Sequence, residues 1–144
     1  MIREKIVVIC VLLLILFSFE VTLLHSFSLG KEKSPIERIE ESLKNKKPFV
    51  IDFYADWCPP CNAMVPIMEK LEKKYKNKIE IIRVNVDLSK NRSLVIKYKV
   101  VSIPTFVFIS SKGKISNIII GYREMEVMEN EFRKLLQQQS KSGK

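Results

Sequence analysis

Two cysteines separated by two residues, Cys58 and Cys61, constrain this chain more than any other feature. They stand where the apolar run 49–55 gives way to a helical pattern over 62–75. A Cys-x-x-Cys pair at a strand-to-helix junction suits dithiol redox chemistry, because one thiolate attacks a disulfide and its neighbour resolves the mixed disulfide. The N–H groups at a helix N-terminus favour the thiolate form of the first cysteine. We therefore assign Cys58 as the nucleophile and Cys61 as the resolving thiol.

A structural disulfide or a metal site would also account for a pair of cysteines. Closing so short a loop removes only about 2 kcal/mol of unfolded-chain entropy, which is a small gain in stability. A zinc site needs four ligands, and as further cysteine or histidine ligands the sequence offers only Cys10 and His25, in or beside an N-terminal apolar segment. Redox chemistry fits best, and we expect no bound metal and no cofactor.

Residues 1–28 have the pattern of an export signal or a membrane anchor. Arg3 and Lys5 precede a largely apolar run that reaches Leu24 and whose one charged residue, Glu20, lies near its end. As a helix the run measures about 28 Å, close to the apolar thickness of a bilayer. The small residues just beyond it would also fit a cleavage site. A retained anchor and a cleaved signal both stay open, and the retained anchor is preferred. The domain is expected at the extracytoplasmic face of the cell envelope, such as the periplasm.

The rest of the chain is long enough for one compact domain, which we place at 29–137, followed by a polar tail at 138–144. The net charge of +9 belongs to this part, because the charges of the first 28 residues cancel. A solvated lysine surface accounts for the excess, and attraction to an anionic membrane surface or to acidic partners ranks second. We expect no nucleic-acid binding, because the basic residues form no patch interleaved with aromatic residues, and we expect a monomer.

Eight elements are predicted in the order helix, strand, helix, strand, helix, strand, strand, helix. Strands separated by helices predict parallel crossovers, and the short connection between the last two strands predicts an antiparallel hairpin. The fold class is therefore α/β, with a mixed sheet covered by helices on both faces. Helical spacing on the first and last helices assigns to the core Ile36, Ile39, Leu43, Val127, Met128, Phe132 and Leu135. The elements span 35–44, 49–55, 59–75, 79–86, 92–98, 105–109, 114–120 and 124–136.

With this element order, the motifs Trp57–Cys61 and Ile103–Thr105 give the chain a resemblance to the thioredoxin family over roughly 34–136. Pro66, five residues after the second cysteine, and Gly121, at the end of the last strand, add to it. The resemblance implies the thioredoxin fold and thiol-disulfide oxidoreductase activity. It also implies a cis peptide bond before Pro104, next to the disulfide, and a substrate groove lined by Trp57, Ile103, Pro104 and Gly121. The alternative is that Ile103 belongs to the core, that Trp57 only packs and that Gly121 only permits a turn.

Asp52 breaks the apolar pattern of the first strand and matches the family's buried carboxylate behind the cysteines. Desolvation should raise its pKa, so that it can take a proton from Cys61 as that thiol attacks. The alternative is a satisfied core aspartate paired with Arg83. The family usually has a lysine where Arg83 stands, and a permanently charged arginine should hold Asp52 more ionised.

Two further departures from the family pattern concern Pro59 and the first strand. Cytoplasmic thioredoxins usually have glycine at Pro59. Together with Pro60 this proline leaves the thiolate fewer backbone donors, which predicts a better reductant. The family's first strand has only a weak candidate here, at 27–30.

The leading hypothesis is an exported, membrane-tethered reductase of disulfides in other exported proteins. The resemblance implies an integral-membrane electron donor, and either cytochrome c maturation or general disulfide reduction as the client process. Disulfide oxidation or isomerisation is the enzymatic alternative. A thioredoxin-fold binding module is the non-enzymatic one, and it predicts that Cys58→Ser leaves the function intact.

Overall fold

A computed structural model describes residues 32–140, and from Lys33 onward they belong to one compact unit. The predicted order of elements is confirmed. The sequence-based expectations for residues 1–28 and for a strand at 27–30 lie outside the described residues. Within 32–140, no helix combines the length and the apolar character needed to cross a membrane. The elements are α1 (Pro35–Lys44), β1 (Phe49–Tyr54), α2 (Pro59–Tyr75), β2 (Glu80–Asn85), a 3-10 turn (Ser89–Asn91), α3 (Arg92–Lys97), β3 (Thr105–Ile109), β4 (Ile115–Ile120) and α4 (Met125–Ser140).

The four strands form one mixed sheet in the order β2-β1-β3-β4, with β1 and β2 parallel and with β3 and β4 antiparallel. The expectation of a parallel crossover into β3 is wrong, because β3 runs antiparallel to β1. The chain enters β3 at Thr105, opposite Phe53, at the end of the sheet where β1 and β2 finish. The connection from β2 to β3 contains the six-residue helix α3, about 9 Å long, and an irregular stretch. This connection brings the chain back to the end of the sheet where β2 finishes, so β3 starts there and runs in the opposite direction.

Helices cover both faces of the sheet, as expected. Alternation along β1 sends Val50 toward α2 and α4, and it sends Ile51 toward α1 and α3. Three residues assigned to the core are instead substantially exposed, namely Ile36, Leu43 and Val127. On α1 only Ile39 and Ser42 are buried, because this short helix touches the sheet along a narrow stripe. The remaining core residues assigned on the first and last helices are buried.

Candidate redox site

The two cysteines form a disulfide at the N-terminus of α2. Their sulfurs are 2.09 Å apart and their Cα atoms 5.2 Å apart. Cys58 is the N-cap residue of the helix, and its Sγ accepts the N–H of Cys61 at 3.2 Å. The two residues between them are Pro59 and Pro60, in the first helical positions, and neither has an N–H. The Cys58 sulfur therefore has one backbone donor, the Cys61 N–H, because a proline occupies the second helical position, whose N–H an N-cap side chain could otherwise accept.

An apolar setting surrounds the disulfide. Cys58 and Cys61 are almost completely buried and cluster with Ala55, at the end of β1. Ile103 packs against the same cluster, as do Tyr54 and Val86. The structure thus brings Ile103 to the cysteines, although Ile103 lies far from them in the sequence. Little water reaches the sulfurs, so the protein groups around them control their charge.

The Ile103–Pro104 peptide bond is cis, which confirms the expectation drawn from the resemblance. Gly121 lies beside it, because its N–H donates to the Pro104 carbonyl oxygen at 2.7 Å. Gly121 has a φ of +82°, a conformation that side chains rarely adopt, whereas an added Cβ would come no closer than 3.7 Å to another atom. The backbone conformation, rather than lack of space, therefore explains this glycine.

Trp57 stands at the same end of the sheet with 68% of its surface exposed. Its indole N–H donates to Asp87 Oδ2 at 2.8 Å, which fixes the ring beside the disulfide. The sequence-based predictions missed Asp87 and its neighbour Asn85, whose side chain accepts the Asp87 N–H at 2.9 Å. The available signal was an Asn-x-Asp pattern at the end of a strand, typical of a turn held by side chains.

Asp52 is buried on the face of the sheet that α2 covers. Its Oδ2 accepts the Arg83 Nε–H at 3.2 Å, and the Arg83 guanidinium also lies 4.0 Å from the ring centre of Tyr54. Burial, the larger cause, raises the pKa of the Asp52 carboxyl from 3.8 to about 6, while the charge and hydrogen bond of Arg83 lower it. Both sequence-based expectations hold for the geometry: the aspartate has a raised pKa and it pairs with Arg83. Its part in proton transfer stays a prediction.

Comparison with known proteins agrees with this geometry. The family model described as "Thioredoxin" matches residues 33–134. Thioredoxin of Borreliella burgdorferi is 41% identical over 91 residues, which is 63% of this chain and 75% of that protein. The thiol:disulfide interchange protein TxlA homolog of Synechocystis sp. is 35% identical over 95 residues, 66% of this chain and 53% of that protein. The oxidised mitochondrial thioredoxin 3 of Saccharomyces cerevisiae superimposes with a TM-score of 0.60 at 29% identity, covering 69% of this chain and 90% of that one.

Fold and site together define a thiol-disulfide oxidoreductase with a redox-active disulfide at a helix N-terminus. The chain belongs to the thioredoxin family. The resemblance inferred from the sequence, the fold class and the enzyme class are thereby confirmed. The substrate-binding roles of Trp57, Ile103, Pro104 and Gly121 stay predictions, as do the supporting roles of the two prolines and Arg83.

Proposed function

We propose that this protein is an exported, membrane-tethered reductase of disulfides in other exported proteins. The observation that carries the direction of electron flow is the single backbone N–H on the Cys58 sulfur. A thiolate with few hydrogen bonds is poorly stabilised. Because a less stable reduced form gives up its electrons more readily, the pair is poised as a reductant.

The reaction exchanges one disulfide for another. The Cys58 thiolate attacks one sulfur of the client disulfide, forms a mixed disulfide and releases the other client sulfur as a thiolate, which takes up a proton. Cys61 then loses its proton and attacks Cys58, which releases the second client thiol. We assign Asp52 as the acceptor of that proton, since its pKa of about 6 leaves it ionised at neutral pH yet able to be protonated. Two electrons pass to the client, and the enzyme ends as the disulfide.

Export and tethering are supported by the sequence of the first 28 residues, in which two basic residues precede a long apolar run. Two relatives, from Synechocystis sp. and Synechococcus elongatus, carry the name thiol:disulfide interchange protein. A reductant in an oxidising compartment needs a continuing supply of electrons, so we assign the donor to an integral-membrane partner. The clients are disulfide-containing exported proteins, with cytochrome c precursors as one candidate group.

Trapping in cells tests the reaction. In Cys61→Ser the nucleophile is kept and the resolving thiol is lost, so mixed disulfides with clients should accumulate and disappear on reduction. The matched control is Cys58→Ser, which should trap nothing. If Cys61→Ser traps no exported protein, or if Cys58→Ser retains full function, the assignment is contradicted.

Fractionation tests the tether. The full-length chain should stay with the membrane after alkaline extraction. The double change Leu13→Arg and Leu14→Arg should prevent this, since each arginine near the centre of a membrane span costs about 3 kcal/mol. Wild-type chain shortened at its N-terminus and recovered in the soluble fraction would show instead a cleaved signal.

A further inference from the structure

We infer that a second binding site, next to the redox site, takes an extended client segment of apolar and acidic residues. The inference rests on the proposed function, because it names the clients that the reductase prefers. The site is a groove of about 360 Å³ between β4 and the segment that follows α3. We call it the β4 groove and define it by Lys97, Lys99, Val101, Ile115, Ile118 and Ile120.

The groove exists because the helices leave one part of the sheet uncovered. α1 lies over β2, where Arg38 donates to Glu80 and to the Ile81 carbonyl oxygen. β4 is at the other edge of the sheet, and of its last residues only Ile119 points into the core on the face of α2 and α4. The alternate residues Ile118 and Ile120 face the opposite side and are almost half exposed.

The apolar surface is continuous rather than scattered. Val101 is 90% exposed, and Ile115 is more than half exposed at the far end of the strand. β4 contains no charged residue, although edge strands in soluble proteins commonly carry charges that prevent unwanted pairing. A contiguous exposed apolar patch of this kind typically marks an interaction surface.

The position of the groove ties it to the redox chemistry. At the catalytic end of the sheet Ile120 pairs with Thr105, which follows the cis-proline. Gly121, the next residue, donates to the Pro104 carbonyl oxygen. From there β4 extends for about 17 Å, the length of five or so extended residues. A polypeptide with its disulfide at Cys58 can therefore continue directly into the groove.

Charge and hydrogen bonding determine what the groove accepts. Lys97 and Lys99 lie at its rim, and of the described residues lining it none is acidic. Asn117 Oδ1 accepts the Ile118 N–H at 2.9 Å, which takes this backbone donor of β4 away from an added strand. We therefore assign the docking to side chains on the sheet face. Alternate apolar residues would fill the groove while acidic neighbours pair with the lysines. A second copy of this chain is disfavoured, because a two-fold contact would bring the same lysines together.

Chromogenic peptides test the β4 groove with the full-length chain in detergent micelles, with Cys10 replaced by Ser so that only the Cys58–Cys61 pair reacts. Each peptide has one cysteine in a mixed disulfide with 5-thio-2-nitrobenzoate and a five-residue tail. The tails are Ile-Glu-Val-Glu-Ile, Ile-Lys-Val-Lys-Ile and Ser-Gly-Ser-Gly-Ser, placed before or after the cysteine. Pre-reduced enzyme attacks the peptide sulfur, the coloured thiolate leaves, and Cys61 releases the peptide as a thiol. The second-order rate constant is measured against that of the mixed disulfide without a tail.

The acidic apolar tail should raise the rate constant about tenfold over the Ser-Gly tail. Val101→Ser should bring this preference to within about twofold, and Lys97→Glu should transfer it to the lysine tail. The matched control is Val127→Ser, an exposed valine on α4, which should leave the preference unchanged. All three variants should reduce the mixed disulfide without a tail at the wild-type rate.

Three results would overturn the inference: no tail preference in the wild type, a preference that survives both groove variants, or one that Val127→Ser also abolishes. A preference that falls as the enzyme concentration rises would place a second copy in the groove and would also overturn it. Failure of the proposed function is a different result, because it appears in the reduction potential of the couple or in the trapping of clients by Cys61→Ser. The tail preference is a ratio of rate constants, which does not depend on the direction of electron flow in the cell.

Discussion

At the scale of single residues, the carboxyl of Asp52 is the most unusual group in the protein. The Asp52 side chain is 5% exposed, whereas the side chain of its charged partner, Arg83, is 43% exposed. Water screens the arginine, so the ion pair compensates for only part of the cost of burying the carboxylate. That imbalance leaves the pKa of Asp52 raised, and it links proton binding to stability.

Asp52→Asn should stabilise the protein at neutral pH and lose this effect in acid. The folded-state pKa of about 6 exceeds the unfolded value of 3.8, so wild-type stability falls as the pH rises through this window. The gain in the free energy of unfolding on Asp52→Asn should therefore be larger at neutral pH than in acid, by at most about 3 kcal/mol. Urea unfolding of the domain from Lys33 onward, at pH 7.5 and pH 4, measures it. Glu40→Gln, at an exposed carboxyl on α1, is the control, and an Asp52→Asn gain of equal size at both pH values contradicts the account.

Arg83→Gln should raise the pKa of Asp52 further, by about one unit, since it removes the opposing charge and its hydrogen bond. Carbon NMR titration of the Asp52 carboxyl measures the change. Arg92→Gln, an exposed arginine on α3, is the matched control and should leave the titration curve unchanged. A lower pKa in Arg83→Gln would show that the arginine does not stabilise the ionised form.

Much of this site could be predicted from the types of residue in the sequence. Asp52 stood out because a carboxylate in an apolar strand demands a partner, and the cysteine spacing defined the disulfide. The hydrogen bond between Trp57 and Asp87 could not be predicted, because it joins two loops whose distance depends on how β1 and β2 pair. Long-range side-chain contacts of this kind follow from the sheet register, which local patterns do not encode.

At the scale of elements, the N-terminus of α2 sets the redox behaviour through the two prolines. Restoring an N–H there should stabilise the Cys58 thiolate and make the pair less reducing. Pro60→Ala should raise the reduction potential by about 30 mV, equivalent to one hydrogen bond to a charged group. Pro59→Ala should raise it less, since N-cap side chains accept from the second and third helical positions. Equilibration against dithiothreitol buffers measures both.

Pro66→Ala is the matched control, because it removes a proline from the interior of the same helix, away from the sulfurs. Its potential should equal that of the wild type. If all three proline variants shift the potential equally, helix rigidity rather than donor number controls the couple.

The elements themselves were largely predictable, because each has a clear period and clear end signals. A capping box formed by Ser34 and Glu37 begins α1. The direction of β3 was not predictable from the alternation of strands and helices, because the connection from β2 joins a very short helix to an irregular stretch. The path of this connection depends on its packing against Phe53 and Val107. The local sequence pattern does not show that packing.

At the scale of the whole molecule, the catalytic end of the sheet gathers the disulfide, the cis-proline and the mouth of the β4 groove. One end of the protein thus holds the chemistry and the surfaces proposed for clients. For a tethered reductase, this arrangement lets a client and an electron donor reach the same sulfurs in turn. Such a function requires a couple that is reducing enough to pass electrons to exported proteins.

The reduction potential of the Cys58–Cys61 couple tests this claim most directly. The full-length chain, with Cys10 replaced by Ser so that only the pair reacts, is equilibrated in detergent micelles against defined thiol buffers, and its free thiols are counted by alkylation. For a reductase we expect a potential at or below about −250 mV. A value of about −120 to −180 mV would contradict it, because the protein would then act as an oxidase or isomerase.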